Sequence, residues 1–166
     1  MLEIRPVTAD DTNALLQILG DPEVAYWLRP AGESGPFSRA ECEQIIVRKL
    51  AHWTAFGFGM SLAFSDGRCV GRSTVGYNLV DGRAEVEIGW AVVRDSWGRG
   101  IATELGRHAL AAASDAGFER IVAFTRPDNL ASRRVMEKLG LRYQRDFAHN
   151  GHPHVLYVLY VATSPQ

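Results

Sequence analysis

Apolar positions change their spacing several times along the chain, and each change marks an element. Residues 2–7 (LEIRPV) read as a short strand. Thr8 follows as an expected helix N-cap, with Asp10 and Asp11 in a first turn where the helix dipole favours negative charge. Leu15, Leu16, Ile18 and Leu19 recur at helical spacing until Gly20. Residues 21–37 are broken by Pro22, Pro30, Pro36, Gly32 and Gly35, yet hold Tyr26, Trp27 and Phe37, as an aromatic-rich loop or short helical turn would. Ser38 and Glu41 form a capping box that opens a helix over 39–56, with Ile45, Ile46, Leu50 and Trp53 on its apolar side. The period then drops to two. Residues 57–65, 69–80 and 84–93 read as three strands joined by Asp66-Gly67 and Asp81-Gly82 hairpin turns, an antiparallel meander. Helical spacing returns with Ile101, Leu105, Ala109, Leu110 and Ala113 and ends at Gly117. A buried strand over 119–125, a helix over 129–139 stopped by Gly140, and strands over 141–148 and 154–162 complete the pattern. The expected architecture is α/β, a mixed sheet with helices on its faces.

Composition narrows the class without naming the chemistry. The 166 residues are 46% hydrophobic and 22% charged, which suits one globular domain spanning 1–166 and excludes a disordered or fibrous chain. No apolar run approaches the roughly 20 residues of a membrane helix, and the start lacks a signal-peptide pattern. Cys42 and Cys69 are too few for a disulfide framework, so a cytoplasmic protein is expected. A net charge of −1 gives no reason to expect nucleic acid as a partner. The charge is uneven, however: residues 1–93 carry a balance of −4 and residues 94–145 a balance of +4, as an anionic ligand on the second half would favour.

The densest candidate chemistry lies in Arg94–Thr103 (RDSWGRGIAT), between a strand and a helix. Gly98 and Gly100 allow close backbone approach, and the free N–H groups of the following helix favour an anion such as pyrophosphate. A glycine-rich turn without a ligand fits the same residues. Two familiar motifs are excluded by spacing. A dinucleotide-binding fingerprint needs a small third residue where Thr103 stands and a parallel βαβ unit, and a P-loop needs Gly-Lys-Ser/Thr.

Four stretches in order, Glu87-Ile-Gly-Trp90, Trp97 to Glu104, Asn129-Leu-Ala-Ser132 and Val135 to Gly140, resemble the GNAT superfamily of N-acetyltransferases, most nearly its RimJ/RimL-like branch. The opening EIRPVTADD and the closing HVLYVL resemble the same branch. The resemblance implies a GNAT fold of about seven strands with a splayed central pair. It also implies acetyl-CoA as cosubstrate, no metal, and direct transfer to a primary amine, on a protein N-terminus or a small molecule. Backbone groups at the end of the strand holding Ala91, Val92 and Val93 would pair with the pantetheine arm. The N–H groups of Gly98, Arg99, Gly100, Ile101, Ala102 and Thr103 would hold the pyrophosphate, with Arg94 and Arg99 within possible reach of phosphates. Asn129 would bind the pantetheine region.

Catalysis needs a neutral amine, and aliphatic amines are protonated at pH 7, so a base is useful. The resemblance points to Glu87. Period two places Glu85 on the same face as Glu87 and Val86 and Ile88 on the other, making Glu85 the second candidate. Many relatives supply a tyrosine to protonate the departing thiolate where this chain has Met136; Ser132 is the expected donor instead, with Tyr143 as fallback. Asn129 and Ser132 also suit a helix start. A second departure is Asp95, acidic where the family commonly has Gln or Arg. Met136 and Asp95 together keep open a non-catalytic acyl-CoA-binding sensor.

The remaining candidates are weaker. His149, His152 and His154 lie at a hairpin tip with no Cys or carboxylate to complete a metal site. His52 and His108 fall within helices, and Cys42 has no histidine placed to activate it. Tyr26, Trp27 and Phe37 would shape the amine pocket, while Asp21, Glu23 and Glu33 would supply a negative field for it. A homodimer through the last strands is the expected assembly.

Overall fold

The computed structural model describes residues 1–162. The elements are β1 (Glu3–Pro6), α1 (Thr12–Leu19), α2 (Pro22–Tyr26), α3 (Arg39–Phe56), β2 (Ser61–Ser65), β3 (Arg68–Val80), β4 (Arg83–Val92), α4 (Ile101–Asp115), β5 (Arg120–Thr125), α5 (Leu130–Lys138), β6 (Arg142–His149) and β7 (His152–Tyr160). A 3-10 turn at Arg94–Ser96 separates β4 from α4. The strands form one open sheet in the order β1-β2-β3-β4-β5-β7-β6. Every neighbouring pair is antiparallel except β4 and β5. That parallel pair meets at a single rung, Glu87 opposite Val122, so the sheet opens into a wedge at its centre. This is the expected mixed, mostly antiparallel sheet with a splayed central pair.

Three hairpins set the register. Asp66-Gly67, Asp81-Gly82 and Asn150-Gly151 each place two successive residues at positive φ, near +50° and then +73° to +77°. That is the geometry which matches the right-handed twist of paired strands. Two other glycines identify the faces of β3. A Cβ at Gly71 would stand 2.8 Å from Leu105 of α4, whereas one at Gly76 would stand 3.5 Å from His52 of α3. Positions 71 and 76 differ in parity, so α4 and α3 lie on opposite faces of that strand. Val86 and Ile88 accordingly pack with Ala109 and Ala113, leaving Glu85 and Glu87 for the other face.

Several boundaries differ from the expected ones. Helix α1 starts at Thr12 and not after Thr8, because the Asp11 carboxylate turns back to accept from the Thr8 N–H (2.7 Å) and hydroxyl (3.0 Å) while pairing with Arg5 at 2.8 Å. Asp10 and Asp11 therefore precede the helix. The 21–37 segment holds a true short helix, α2, capped by Asp21 accepting from the Glu23 N–H. Strand β2 begins at Ser61, since Gly57 at φ +75° caps α3 and residues 58–60 are still crossing back to the sheet. The capping box at Ser38 and Glu41 forms as expected. Strand β7 starts two residues early, at His152, because the hairpin turn is confined to Asn150-Gly151.

Candidate active site

The wedge is built by register. The Val93 N–H donates to the Val70 carbonyl at 2.9 Å, and residues 87 to 92 pair with 76 to 71 without a slip. Bonded rungs alternate in an antiparallel pair, so Glu87, Gly89, Ala91 and Val93 direct their main-chain groups to β3. Ile88, Trp90 and Val92 direct theirs to the β5 side. Beyond the one rung at Glu87, β5 no longer reaches them, and Trp90 and Val92 present an open strand edge. Of the two residues expected at this edge, Val92 is there, and its carbonyl accepts from the Trp97 indole N–H at 2.9 Å. Val93 is not: its N–H is used by Val70, and its carbonyl accepts the Ser96 N–H at 2.9 Å. Trp90 takes that place. Which rungs are bonded is a property of the pairing, so the strand sequence alone did not distinguish the two.

Glu87 sits at the vertex of the wedge. Its carboxylate accepts from the Asn78 amide at 2.8 Å. Burial pushes its pKa up to about 7, against the opposing pull of the Asn78 hydrogen bond and the cations Lys49 and Arg72. One residue pair below, Glu85 is buried and held by Arg120 through Nε at 3.0 Å and Nη2 at 3.0 Å. Because β4 and β5 run parallel with Glu87 opposite Val122, this ion pair ties the two strands together just below the splay. Glu85 is thus a clamp between strands with its oxygens occupied, whereas Glu87 has no ion pair among the described residues.

Above β4 the chain turns into α4. Gly98 and Gly100 hold φ of +75° and +78°, conformations other residues rarely adopt, and a Cβ at either would meet nothing. Backbone shape and not crowding is what requires these glycines. Gly100 is the N-cap and offers no side chain, so no cap covers the first-turn N–H groups of Ile101, Ala102 and Thr103. Nearby charges are arranged around this turn. Asp95 pairs with Arg68 at 3.3 Å, which occupies the acidic side chain at the departure from the family pattern. Arg94 pairs with Asp21 at 3.3 Å and Glu23 at 3.1 Å, while Arg99 has no ion pair among the described residues.

Above β5, Asn129 caps α5. Its oxygen accepts from the Ser132 N–H at 3.4 Å, and its amide donates to the Thr125 hydroxyl at 3.0 Å. A primary amide has two donor hydrogens and two acceptor lone pairs, so one of each remains for a ligand. Ser132 lies in the first turn, half-buried, and its hydroxyl has no hydrogen-bond partner among the described residues. Met136 is buried in the core between α5 and the sheet. Tyr143 is on the edge strand β6, exposed, and donates to Asp146 at 2.9 Å, which raises its pKa.

Some residues meet that sequence reasoning kept apart. Lys49 and His52 are on α3 and Arg72 is on β3. Lys49 and Arg72 act on Glu87 electrostatically, and His52 reaches the Gly76 position directly across from it. Helix α2 joins the ends of the wedge. Its first turn pairs with Arg94 just past β4, and Tyr26 stacks under Arg126 just past β5, 4.5 Å from the ring centre. The acids expected to make a negative field are each ion-paired, Asp21 and Glu23 sharing Arg94, and Glu33 sharing Arg29 with Glu41. His149 and His154 pack edge-on against Phe124, and burial lowers the pKa of both. Trp53 packs against the core, its indole donating to the Met60 carbonyl at 2.8 Å. Cys42 is fully buried, with its pKa raised by that burial. Among the described residues no helix is long and apolar enough to cross a membrane, and no group of three His, Cys, Asp or Glu is placed to hold a metal.

Residues 1–142 match the family described as Acetyltransferase (GNAT) domain, and the chain belongs to it. The family uses acetyl-CoA. An uncharacterized N-acetyltransferase, p20, from Bacillus licheniformis is 28% identical over 149 residues, 85% of this chain and 79% of that protein. The uncharacterized protein YkkB from Bacillus subtilis is 32% identical over 98 residues; the match spans 54% of this chain and 55% of that relative. Solved structures share the fold. A putative GnaT-family acetyltransferase from Bordetella pertussis superposes with a TM-score of 0.78 at 23% identity, covering 95% of this chain and 94% of that one. The putative acetyltransferase yncA from Salmonella typhimurium, solved with acetyl-CoA, gives 0.75 at 18% identity, covering 99% and 96%.

Proposed function

We propose that this acetyltransferase moves the acetyl group of acetyl-CoA directly to a primary amine bound in the wedge, with Glu87 as the base. The observation that carries the reading is the position of Glu87 at the vertex, where β4 leaves β5 and the edge of Trp90 and Val92 opens. That edge suits the amide-bearing pantetheine arm as an added strand. The uncapped N–H groups of Ile101–Thr103 suit the pyrophosphate, and the spare donor and acceptor of Asn129 suit the arm between them.

In this reading Glu87 takes a proton from the bound ammonium, and the freed amine attacks the thioester carbonyl. The carbon–sulfur bond then breaks as the nitrogen sheds its second proton to solvent and the amide forms. Ser132 gives its proton to the departing sulfur and is reprotonated from solvent. A carboxyl with a pKa of about 7 suits this work, because it is half-ionised near neutrality yet basic enough to accept a proton. Relatives of the RimJ/RimL-like branch act on amines of this class, and that branch is the one the motifs resemble.

The test is release of free thiol from acetyl-CoA in the presence of amines. Glu87→Gln should lower acceptor-dependent release by about 100-fold or more while the rise in Tm produced by acetyl-CoA stays as in the wild type. Wild-type release by Glu87→Gln would remove Glu87 from the reaction. Ser132→Ala should slow release as well, and unchanged kinetics would move the acid role to water.

A further inference from the structure

The acceptor side of the wedge holds charges that the chain itself does not satisfy. Arg72 extends from β3 on the face it shares with Gly76 and Glu87, and its Nε is buried without a hydrogen-bond partner. Lys49, half-buried on α3, has no carboxylate within ion-pair distance among the described residues, and neither has Arg72. Burial, and after it repulsion from Arg72, lowers the pKa of Lys49. The nearby Glu87 carboxyl is too far for an ion pair with either and is already bound by Asn78. His52 adds a second buried atom without a partner. Its Nδ1 lies 2.8 Å from the Phe58 carbonyl, which can only accept, so Nδ1 carries a hydrogen, and the tautomer with that single N–H presents Nε2 as an acceptor. That Nε2 is buried with no partner and stands 3.5 Å from the Cβ position of Gly76, directly across the strand pair from Glu87.

Leaving a shielded polar atom of a cation without a partner is costly, and Arg72 and Lys49 are both half-buried with no carboxylate of the described residues paired to them. Two cations and one hydrogen-bond acceptor around a single basic carboxyl match a ligand that is both amine and anion. A plain polyamine or aminoglycoside would meet Lys49 and Arg72 as like charges. A surface hollow of about 420 Å³, lined by Ala40, Glu43, Gln44, Val47 and Arg48, shares no residue with this constellation and offers no unpartnered buried atom.

We propose that the acceptor is a small amine bearing its own carboxylate, an amino acid in the broad sense, whose carboxylate pairs with Arg72 and Lys49 while its amino group lies between Glu87 and His52 Nε2. This rests on the transferase reading for the chemistry, but the recognition stands on the unpaired groups alone.

The experiment compares free amino acids with their carboxamides, in which the charge is removed and the amine kept. Aminoalkyl phosphonates form a third arm, reporting whether any anion suffices. Both thiol release from acetyl-CoA and ligand-induced change in Tm in the presence of CoA are read. Wild type should prefer at least one free acid over its amide by about 10- to 100-fold in kcat/KM, the range lost with a charged hydrogen bond. Arg72→Met should collapse that ratio by raising KM for the acid, and Arg72→Lys should restore part of it. Arg72→Met should itself melt no lower than wild type, since a half-buried cation with an unpartnered Nε is removed; a large fall in Tm would show Arg72 to be structural and overturn the proposal. Equal use of acids and amides would also overturn it while leaving the transferase reading intact. A Tm rise with the acids but not the amides, without thiol release, would uphold the recognition and defeat the transfer. No release and no Tm change with any acid would overturn the proposal outright.

Discussion

At Glu87 one carboxyl is pulled in two directions, and the balance has consequences for stability as well as for rate. Desolvation raises its pKa to about 7, while Asn78, Lys49 and Arg72 favour the charged form and limit the rise. A carboxyl whose folded pKa exceeds its unfolded value near 4.5 stabilises the fold fully below that unfolded value. The contribution is lost as pH rises through 7. Glu87→Gln keeps an oxygen for the Asn78 amide but cannot ionise. It should therefore melt with wild type at pH 4 and above wild type at pH 8, by at most about 3 kcal/mol for a shift of this size. Thermal unfolding at the two pH values checks this, and a variant less stable than wild type at pH 8 would contradict the desolvated state of the carboxyl. The same ionisation should appear in kcat/KM as a rise with pH through 7 that Glu87→Gln lacks.

At the scale of elements, the proposed cofactor side depends on how two helices begin. Asn129 both caps α5 and is proposed to touch the cofactor, and two substitutions separate these roles. Asn129→Asp retains a good cap, so Tm should stay within a degree or two, yet it removes the amide donor and should weaken acetyl-CoA binding. Asn129→Ala should lose the cap as well, about 1 kcal/mol. Calorimetric binding and melting curves on the two variants distinguish them. The elements themselves were largely legible, because the period of apolar residues and the Asp-Gly turns are local signals. The candidates Glu87, Gly98, Gly100, Asn129 and Ser132 could be nominated for the same reason, standing in short runs of fixed spacing. What sequence did not disclose is whatever depends on pairing across distance. Arg72, Lys49 and His52 converge on Glu87 from a strand and a helix whose approach is not written in local order. The pairing of Glu85 with Arg120 joins residues 35 apart, and the exchange of Val93 for Trp90 follows from which rungs are bonded. The shift of the α1 start has a similar cause, a carboxylate captured by Arg5 and the Thr8 backbone.

The whole molecule is an open sheet held apart at its middle, and it must stay paired below the opening. Glu85 and Arg120 supply that tie between β4 and β5, with Tyr160 of β7 adding a bond to Arg120 at 2.5 Å. Arg120→Met leaves a buried carboxylate without its partner and should cost about 3–5 kcal/mol, with Glu85→Leu in the same chain recovering much of the loss. A double variant no more stable than the single one would show that the tie is not what Arg120 contributes. Above the tie, α2 spans from the end of β4 to the end of β5 through Arg94 and Arg126, so the two strands are joined over the wedge as well as beneath it. All of this serves one claim, that a base at the vertex deprotonates an amine facing acetyl-CoA. The most direct test is the pH dependence of amine-dependent thiol release by wild type and Glu87→Gln, measured with saturating acetyl-CoA. The account predicts a wild-type rate rising through about pH 7 and a variant about 100-fold slower with that limb gone. A variant that matches wild type in rate and in pH profile would contradict it.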